Sequence, residues 1–280
     1  MNTKRVYFVV LTSLLLSSCG PSVYYQVYKA VPADPISIVQ NALIYEDDNC
    51  EIAYNLWADG GNVGFSFYNK TDENINLKMD ESFFILNGVA HDYYKNRVFK
   101  SVYTTGSTVS HGASASTSVT GFNFLNLLLT NRGQASKRLD LLDSSESSVS
   151  YDEQEEICIP PHTMKHITEY KISDVLYRDC DLYIYPKKRQ LLTKRFHMDD
   201  SPIIFSNRLV YELEKSEKTI KFENEFYISE ISNYPEKEIT TNEYSEFCGQ
   251  TSQEKRRYFK DVSPEKFYIR YEKGIDQWEH

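Results

Sequence analysis

Residues 50–88 carry the clearest strand and turn signals, and they read CEIAYNLWADGGNVGFSFYNKTDENINLKMDESFFILNG. Apolar side chains recur at every second position over 52–56 and again over 63–67, on either side of Asp59-Gly60-Gly61. This period of two is typical of half-buried strands, and the glycines between them indicate a hairpin turn. Asn87-Gly88 is the strongest short signal for a further hairpin. Short strands joined by tight turns, without helical periodicity, predict a mainly β, antiparallel β-sandwich.

A second run of short β-prone segments follows Ile159-Pro160-Pro161. It comprises residues 167–172, 182–185, 203–211, 219–222 and 225–231, with a last strand expected at 267–271. These strands either complete the first sandwich or form a second β subdomain. Polar and charged residues over 242–255 predict a short surface helix.

The pattern changes between these two runs. Residues 104–121 are rich in Ser, Thr and Gly with little to bury, and an apolar stretch follows at 122–129. Such a composition predicts a flexible insertion, which either binds a partner or packs locally. The expected division of the chain is a signal peptide (1–18), a tether (19–35), a first β part (36–100), a flexible Ser/Gly-rich insertion (101–150) and a second β part (151–280).

The amino terminus has the three parts of a secretory signal. Lys4 and Arg5 precede an apolar run over 6–16, and Ser17-Ser18 stand directly before Cys19. The run is only about half of the roughly 20 residues that cross a bilayer, so an uncleaved span is not expected. Leu16-Ser17-Ser18-Cys19 resembles the lipobox of bacterial lipoproteins. The alternative is an ordinary signal peptide with a cysteine nearby by chance.

The lipobox resemblance implies cleavage before Cys19 and diacylglycerol attached to its sulfur. Several acyl chains, palmitate among them, would then hold the mature protein on a membrane. Residues 20–25 carry no acidic side chain. Surface-exported bacterial lipoproteins of one type often carry an acidic cluster there, so the resemblance implies the outer membrane, facing the periplasm, rather than the cell surface.

Composition limits the classes of partner. The formal charge is −9, and removal of Lys4 and Arg5 with the signal makes it −11. Nucleic acid is therefore a poor partner. The chain has 22 tyrosines and is 14% aromatic, which suits either a glycan-binding face or half-buried positions on strands.

Four cysteines follow Cys19, at Cys50, Cys158, Cys180 and Cys248. In an oxidising compartment they permit two disulfides in three connectivities. Cys158 with Cys180 is the candidate pair, and free buried thiols are the alternative. Without a C-x-x-C pair, neither thioredoxin-like chemistry nor a structural zinc site is expected.

Catalytic and cofactor signals are weak. His162 and His166 have zinc-ligand spacing, but Thr163 stands where a zinc protease has glutamate, so no metal site is expected. Neither a nucleophile elbow nor a phosphate loop occurs, which predicts a non-enzyme without cofactors. The basic runs 187–189 and 255–257 suit either lipid headgroups near the anchor or solvated loops.

Residues 56–87 look like the opening of uncharacterised Bacteroidota-type exported lipoproteins with an immunoglobulin-like domain. The residues that carry the resemblance are Trp57, Gly60, Gly61, Phe65, Asn69, Thr71, Asp72, Ile75, Ser82 and Phe84. A second similarity lies in Ile159-Pro160-Pro161, in residues 205–208 and in residues 226–235. The resemblance implies an immunoglobulin-like sandwich and export, and no known activity.

The expected function is a membrane-anchored, non-enzymatic binding or structural protein of the cell envelope. Its expected partners are the membrane, through lipid on Cys19, and an envelope protein or a glycan. The alternative function is a glycan-binding module or glycan-processing accessory.

Overall fold

The computed structural model describes residues 22–33, 36–39, 41–105, 145–216 and 218–274. The predicted signal peptide, Cys19 and most of the predicted insertion lie outside these residues. The described chain is mainly β, as predicted. Its strands are β1 (Val23–Pro32), β2 (Ser37–Val39), β3 (Ala42–Glu46), β4 (Cys50–Tyr54), β5 (Phe65–Asn69), β6 (Ile75–Lys78), β7 (Phe83–Leu86), β8 (Val89–Asp92), β9 (Val98–Thr105), β10 (Ser145–Asp152), β11 (Glu156–Ile159), β12 (Met164–Ile167), β13 (Thr193–Arg195), β14 (Ile204–Leu213), β15 (Thr219–Pro235), β16 (Thr240–Phe247), β17 (Gln250–Phe259) and β18 (Lys266–Glu272). A helical turn, α1 (Glu236–Ile239), joins β15 to β16.

Nine strands form the larger sheet, in the order β11-β6-β14-β15-β1-β18, with β7, β8 and β13 attached beside this path. β15 organises the sheet because its 17 residues pair with three strands. Its first half pairs with β14, and its second half lies between β1 and β13. All of these ladders are antiparallel.

The smaller sheet has the order β12-β5-β4-β3-β2 and faces the larger one. Tyr54 on β4 meets Phe226 on β15 edge to face at 5.4 Å, and Phe67 on β5 meets Tyr211 on β14 at 5.6 Å. These four side chains are buried, and each contributes about 1.5–3 kcal/mol through removal from water. The arrangement is consistent with the predicted sandwich.

Both predicted β parts build this one pair of sheets. β6, from the first part, lies between β11 and β14 of the second, and β5 pairs with β12. The second part therefore completes the first sandwich. The two hairpins expected from residues 50–88 also form, as β4–β5 and β7–β8.

Most of the segment expected as a tether, residues 19–35, belongs to the folded domain. Val23–Pro32 is a central strand, hydrogen-bonded to β15 on one side and to β18 on the other. Tyr24 and Tyr28 lie on one face of the sheet and Tyr25 on the other. Both faces are packed, because Tyr28 stacks on Phe267 and Tyr25 contacts Phe259 and Tyr268. A strand packed on both faces lacks the alternation of apolar and polar residues by which a half-buried strand is recognised in a sequence.

Residues 242–255, expected as a helix, belong to the hairpin β16–β17. At its tip Cys248 and Gly249 have φ of 50° and 75°, the left-handed pair that tight two-residue hairpin turns require. Cysteine is an unusual first residue for such a turn, so the pair does not match the usual hairpin signal. The polar side chains of the strands fit an exposed hairpin as well as a helix.

β9 and β10 form a hairpin in a separate compact unit, residues 94–155. Near its base, Glu153 forms an ion pair with Arg97 and accepts hydrogen bonds from the backbone N–H groups of Lys95 and Arg97. Burial opposes ionisation of this carboxyl, but the bonds from Arg97 and the backbone outweigh it and lower the pKa of Glu153. The carboxylate thus fastens the residues that open the hairpin.

Candidate docking surface

The cysteines occupy different environments. Cys50 is buried, whereas Cys158, Cys180 and Cys248 are exposed, and all four are free thiols in the structure. The Cys158–Cys180 disulfide therefore stays a prediction. Burial, reinforced by the neighbouring carboxylate of Asp47, raises the pKa of the Cys50 thiol. A thiol held in its neutral form in this way is a packing group and a poor nucleophile.

The two spaced histidines bind different partners. His162 Nε2 lies 2.9 Å from Asp72 Oδ1 at the surface, and His166 Nδ1 lies 2.7 Å from Ser66 Oγ across β12 and β5. They sit in a turn and a strand, so the helical spacing does not bring them together. Within the described ranges, no cluster of three His, Cys, Asp or Glu side chains is placed to hold a metal ion.

His166 should make stability depend on pH. Burial lowers its pKa, so below the ordinary value of about 6.5 the unfolded chain takes up a proton that the folded chain resists. We expect the urea midpoint to fall as pH drops through and below that value, and to fall less in His166→Gln. A comparison at about pH 8, where this imidazole is neutral in both states, separates the loss of the Ser66 contact from the loss of titration. Parallel profiles for the two proteins would contradict this expectation.

The aromatic surplus mainly fills the interior. Tyr28 stacks on Phe267 at 4.5 Å, and Phe205 stacks on Phe226 at 5.1 Å, with all four rings buried. The exposed tyrosines are Tyr183, Tyr244 and Tyr258, and within the described chain no ring pair joins any two of them. A sugar-binding platform of coplanar exposed rings is therefore not formed by these three side chains.

A cleft of about 270 Å³ lies between α1, β1, β15 and the loop that precedes β18. Several of its charged groups contact other parts of the chain. Lys266 pairs with Asp261 at 2.5 Å, and Lys260 Nζ donates to the carbonyl oxygens of Lys237 and Glu238 at 2.9 and 3.1 Å. The cleft is polar and smaller than most small-molecule pockets, so it fits a structural role.

Strand edges offer a more distinctive surface. β2 is an edge of the smaller sheet, where Ile38 is 58% exposed and Val39 is 50% exposed. The other described edges of the two sheets, β8, β11, β12, β13 and β18, each carry at least one Lys, Arg, Asp or Glu. Charged residues on an edge discourage pairing with another chain. β2 lacks this protection and presents β-branched side chains instead.

No protein-family model, curated protein or solved structure matches this chain. None of the helices within the described residues is long and apolar enough to span a bilayer. The most distinctive feature of the described fold is therefore its exposed apolar edge strand, β2.

Proposed function

We propose that this chain is a lipid-anchored, non-enzymatic binding or structural protein of a bacterial cell envelope. It is held through Cys19 on the periplasmic face of the outer membrane and is built on an immunoglobulin-like sandwich. It captures an envelope protein by adding a strand of that partner to β2. The unguarded apolar edge of β2 carries this proposal.

Strand addition suits β2 because, among the described strands, it pairs with β3 alone, so its other side can continue the ladder of the smaller sheet. Main-chain hydrogen bonds would supply affinity, and Ile38 and Val39 would bury against alternate side chains of the partner. The lipobox supports the tether, because the apolar signal run is followed by Ser17-Ser18 and then by the cysteine that accepts lipid. The tether confines the search for a partner to the membrane surface.

Cys19→Ala should release the protein from membranes. The described part of the mature chain has no helix that could span a bilayer, and a tether of several acyl chains is far stronger than surface charge alone. The measurement is fractionation of cells that express each form, with and without a high-salt wash. If Cys19→Ala stays wholly with membranes after the wash, the lipid anchor is wrong.

Ile38→Lys should reduce capture of the partner at least about tenfold. Burying an unpaired lysine beside a new strand costs more than the roughly 1.4 kcal/mol that a tenfold change represents. The measurement is crosslinking in intact cells followed by mass spectrometry. Val175→Lys, at a loop position that is 74% exposed, is the matched control.

The outcomes of this crosslinking experiment separate the two functions. An envelope protein captured by the native chain and by Val175→Lys, but lost from Ile38→Lys and Cys19→Ala, would support strand addition. Capture that is unaffected by Ile38→Lys would exclude β2 as the site. Retention on a polysaccharide array without any captured protein would favour glycan binding.

A further inference from the structure

The two basic runs of the sequence converge on α1. Lys188 Nζ lies 3.3 Å from a carboxylate oxygen of Glu238, and Arg257 forms an ion pair with Glu236. The runs 187–189 and 255–257 therefore lie around the same four-residue helical turn. Local sequence gives no reason for this proximity, which arises because the loop after β12 and the hairpin β16–β17 reach the same end of β15.

That end of β15 is also where the chain leaves for Cys19. Pro235, which α1 follows directly, is paired with Tyr24, and Phe259 at the base of the hairpin packs on Tyr25 at 5.3 Å. Only four residue steps separate Cys19 from Val23, a reach of at most about 14 Å. A lipid on Cys19 would therefore place this end of the sheet close to the membrane surface.

A further lysine joins the group on the other side of β1. The backbone N–H of Lys273 donates to the carbonyl oxygen of Ser22 at 3.0 Å, and its ammonium lies 5.7 Å from the ring centre of Tyr185. Tyr185 in turn contacts Tyr24 at 5.2 Å. Lys273 thus lies beside the first described residue after the tether.

We call these side chains the anchor-end basic cluster: Lys187, Lys188, Arg189, Lys237, Lys255, Arg256, Arg257 and Lys273, all of them exposed. Within the described part of the chain, no carboxylate lies within ion-pair distance of Lys187, Arg189 or Arg256. The same elements also carry the carboxylates Glu236, Glu238, Glu243, Glu246 and Glu254. The local surplus of positive charge therefore lies in the two basic runs and Lys273 rather than in the whole hairpin.

We infer that the anchor-end basic cluster binds the anionic headgroups of the leaflet that holds the Cys19 lipid. This inference rests on the proposed lipid anchor. Each cation close to an anionic surface strengthens binding roughly fivefold, and Arg257, which is already paired with Glu236, contributes less than this. The headgroup contacts orient the sandwich on the bilayer, which a flexible tether alone does not do.

The test uses the native lipidated protein in vesicles of phosphatidylcholine, with and without phosphatidylglycerol, and measures amide hydrogen exchange. Among the described strands, β16 and β17 pair with each other alone, so their amides exchange readily through local opening. With phosphatidylglycerol we expect exchange over 240–259 to slow about tenfold or more, and high salt should reverse this. The change Lys255→Gln with Arg256→Gln and Arg257→Gln should abolish the protection.

The matched control removes three charges elsewhere, through Lys165→Gln, Lys215→Gln and Lys218→Gln. Lys215 and Lys218 flank the β14–β15 turn, at the opposite end of β15 from Pro235, so this variant should keep the protection. Equal amide exchange over 240–259 in the two kinds of vesicle would overturn the headgroup contact, and so would an equal loss of protection in both triple variants. Either result would leave the lipid tether on Cys19 unaffected. Failure to incorporate into either vesicle would overturn the tether and the inference together.

Discussion

Gln26→Leu should unfold at a temperature lower by about 10 °C than the native protein, because the change costs about 3–4 kcal/mol. Gln26 is 1% exposed, and both the nitrogen and the oxygen of its side-chain amide form hydrogen bonds. Its nitrogen donates to the carbonyl oxygen of Tyr177 and to Asn233 Oδ1, both at 2.9 Å. Its oxygen accepts from the Tyr28 hydroxyl and, at 2.7 Å, from the backbone N–H of Tyr177.

Leucine has nearly the same volume, so the loss comes from polar groups that stay buried without partners. The affected groups fasten the irregular loop around Tyr177 to the central strand β1. We therefore expect proteolysis of this loop to accelerate together with the loss in thermal stability. Gln253→Leu, at an exposed position, should change the free energy of unfolding by no more than about 0.5 kcal/mol. Similar losses for the two variants would show that the network around Gln26 contributes little.

Gly61→Ala should destabilise the sandwich by about 3 kcal/mol, through two separate costs. The backbone has φ of +76°, which an alanine adopts only at a cost of about 1–2 kcal/mol. A Cβ there would also lie 2.6 Å from Ile172 Cδ1 and 3.0 Å from Phe267 Cγ. Phe267 is fully buried and stacked on Tyr28, so it has little room to move.

Gly88→Ala separates these two costs. Gly88 has φ of +80°, and a Cβ there meets nothing within 4 Å. It therefore carries the backbone cost without the packing cost, and we expect a loss of only about 1 kcal/mol. The measurement is the free energy of unfolding in urea for both variants. Equal losses would mean that the contact of Gly61 with Phe267 is not tight.

Local chemistry made part of the fold predictable. The hairpin at Asn87-Gly88 forms where expected, with positive φ at both residues, because the turn requires residues that tolerate this conformation. The strands at 52–54 and 65–67 follow from alternation that a half-buried sheet imposes. By contrast, the Cys248-Gly249 turn was missed, because only its glycine matches the usual pair.

The candidate sites also combine features that the sequence shows with features that only the structure shows. Both basic runs were visible in the sequence, since a charge run needs no structure to be recognised. Their convergence on Glu236 and Glu238 was not visible, because it depends on two long excursions that return to one end of β15. Likewise, β2 is three residues long, and its significance lies in its position at a sheet edge.

The strand-rich character of the chain, its tight turns and the expectation of a lipid on Cys19 all follow from residues that are neighbours along the chain. The central position of β1, the hydrogen bond between Gln26 and Asn233 and the proximity of the two basic runs follow only from the packing of distant segments. Gln26 and Asn233 are 207 residues apart, and such partners are selected by packing of the whole sandwich, which local periodicity does not encode.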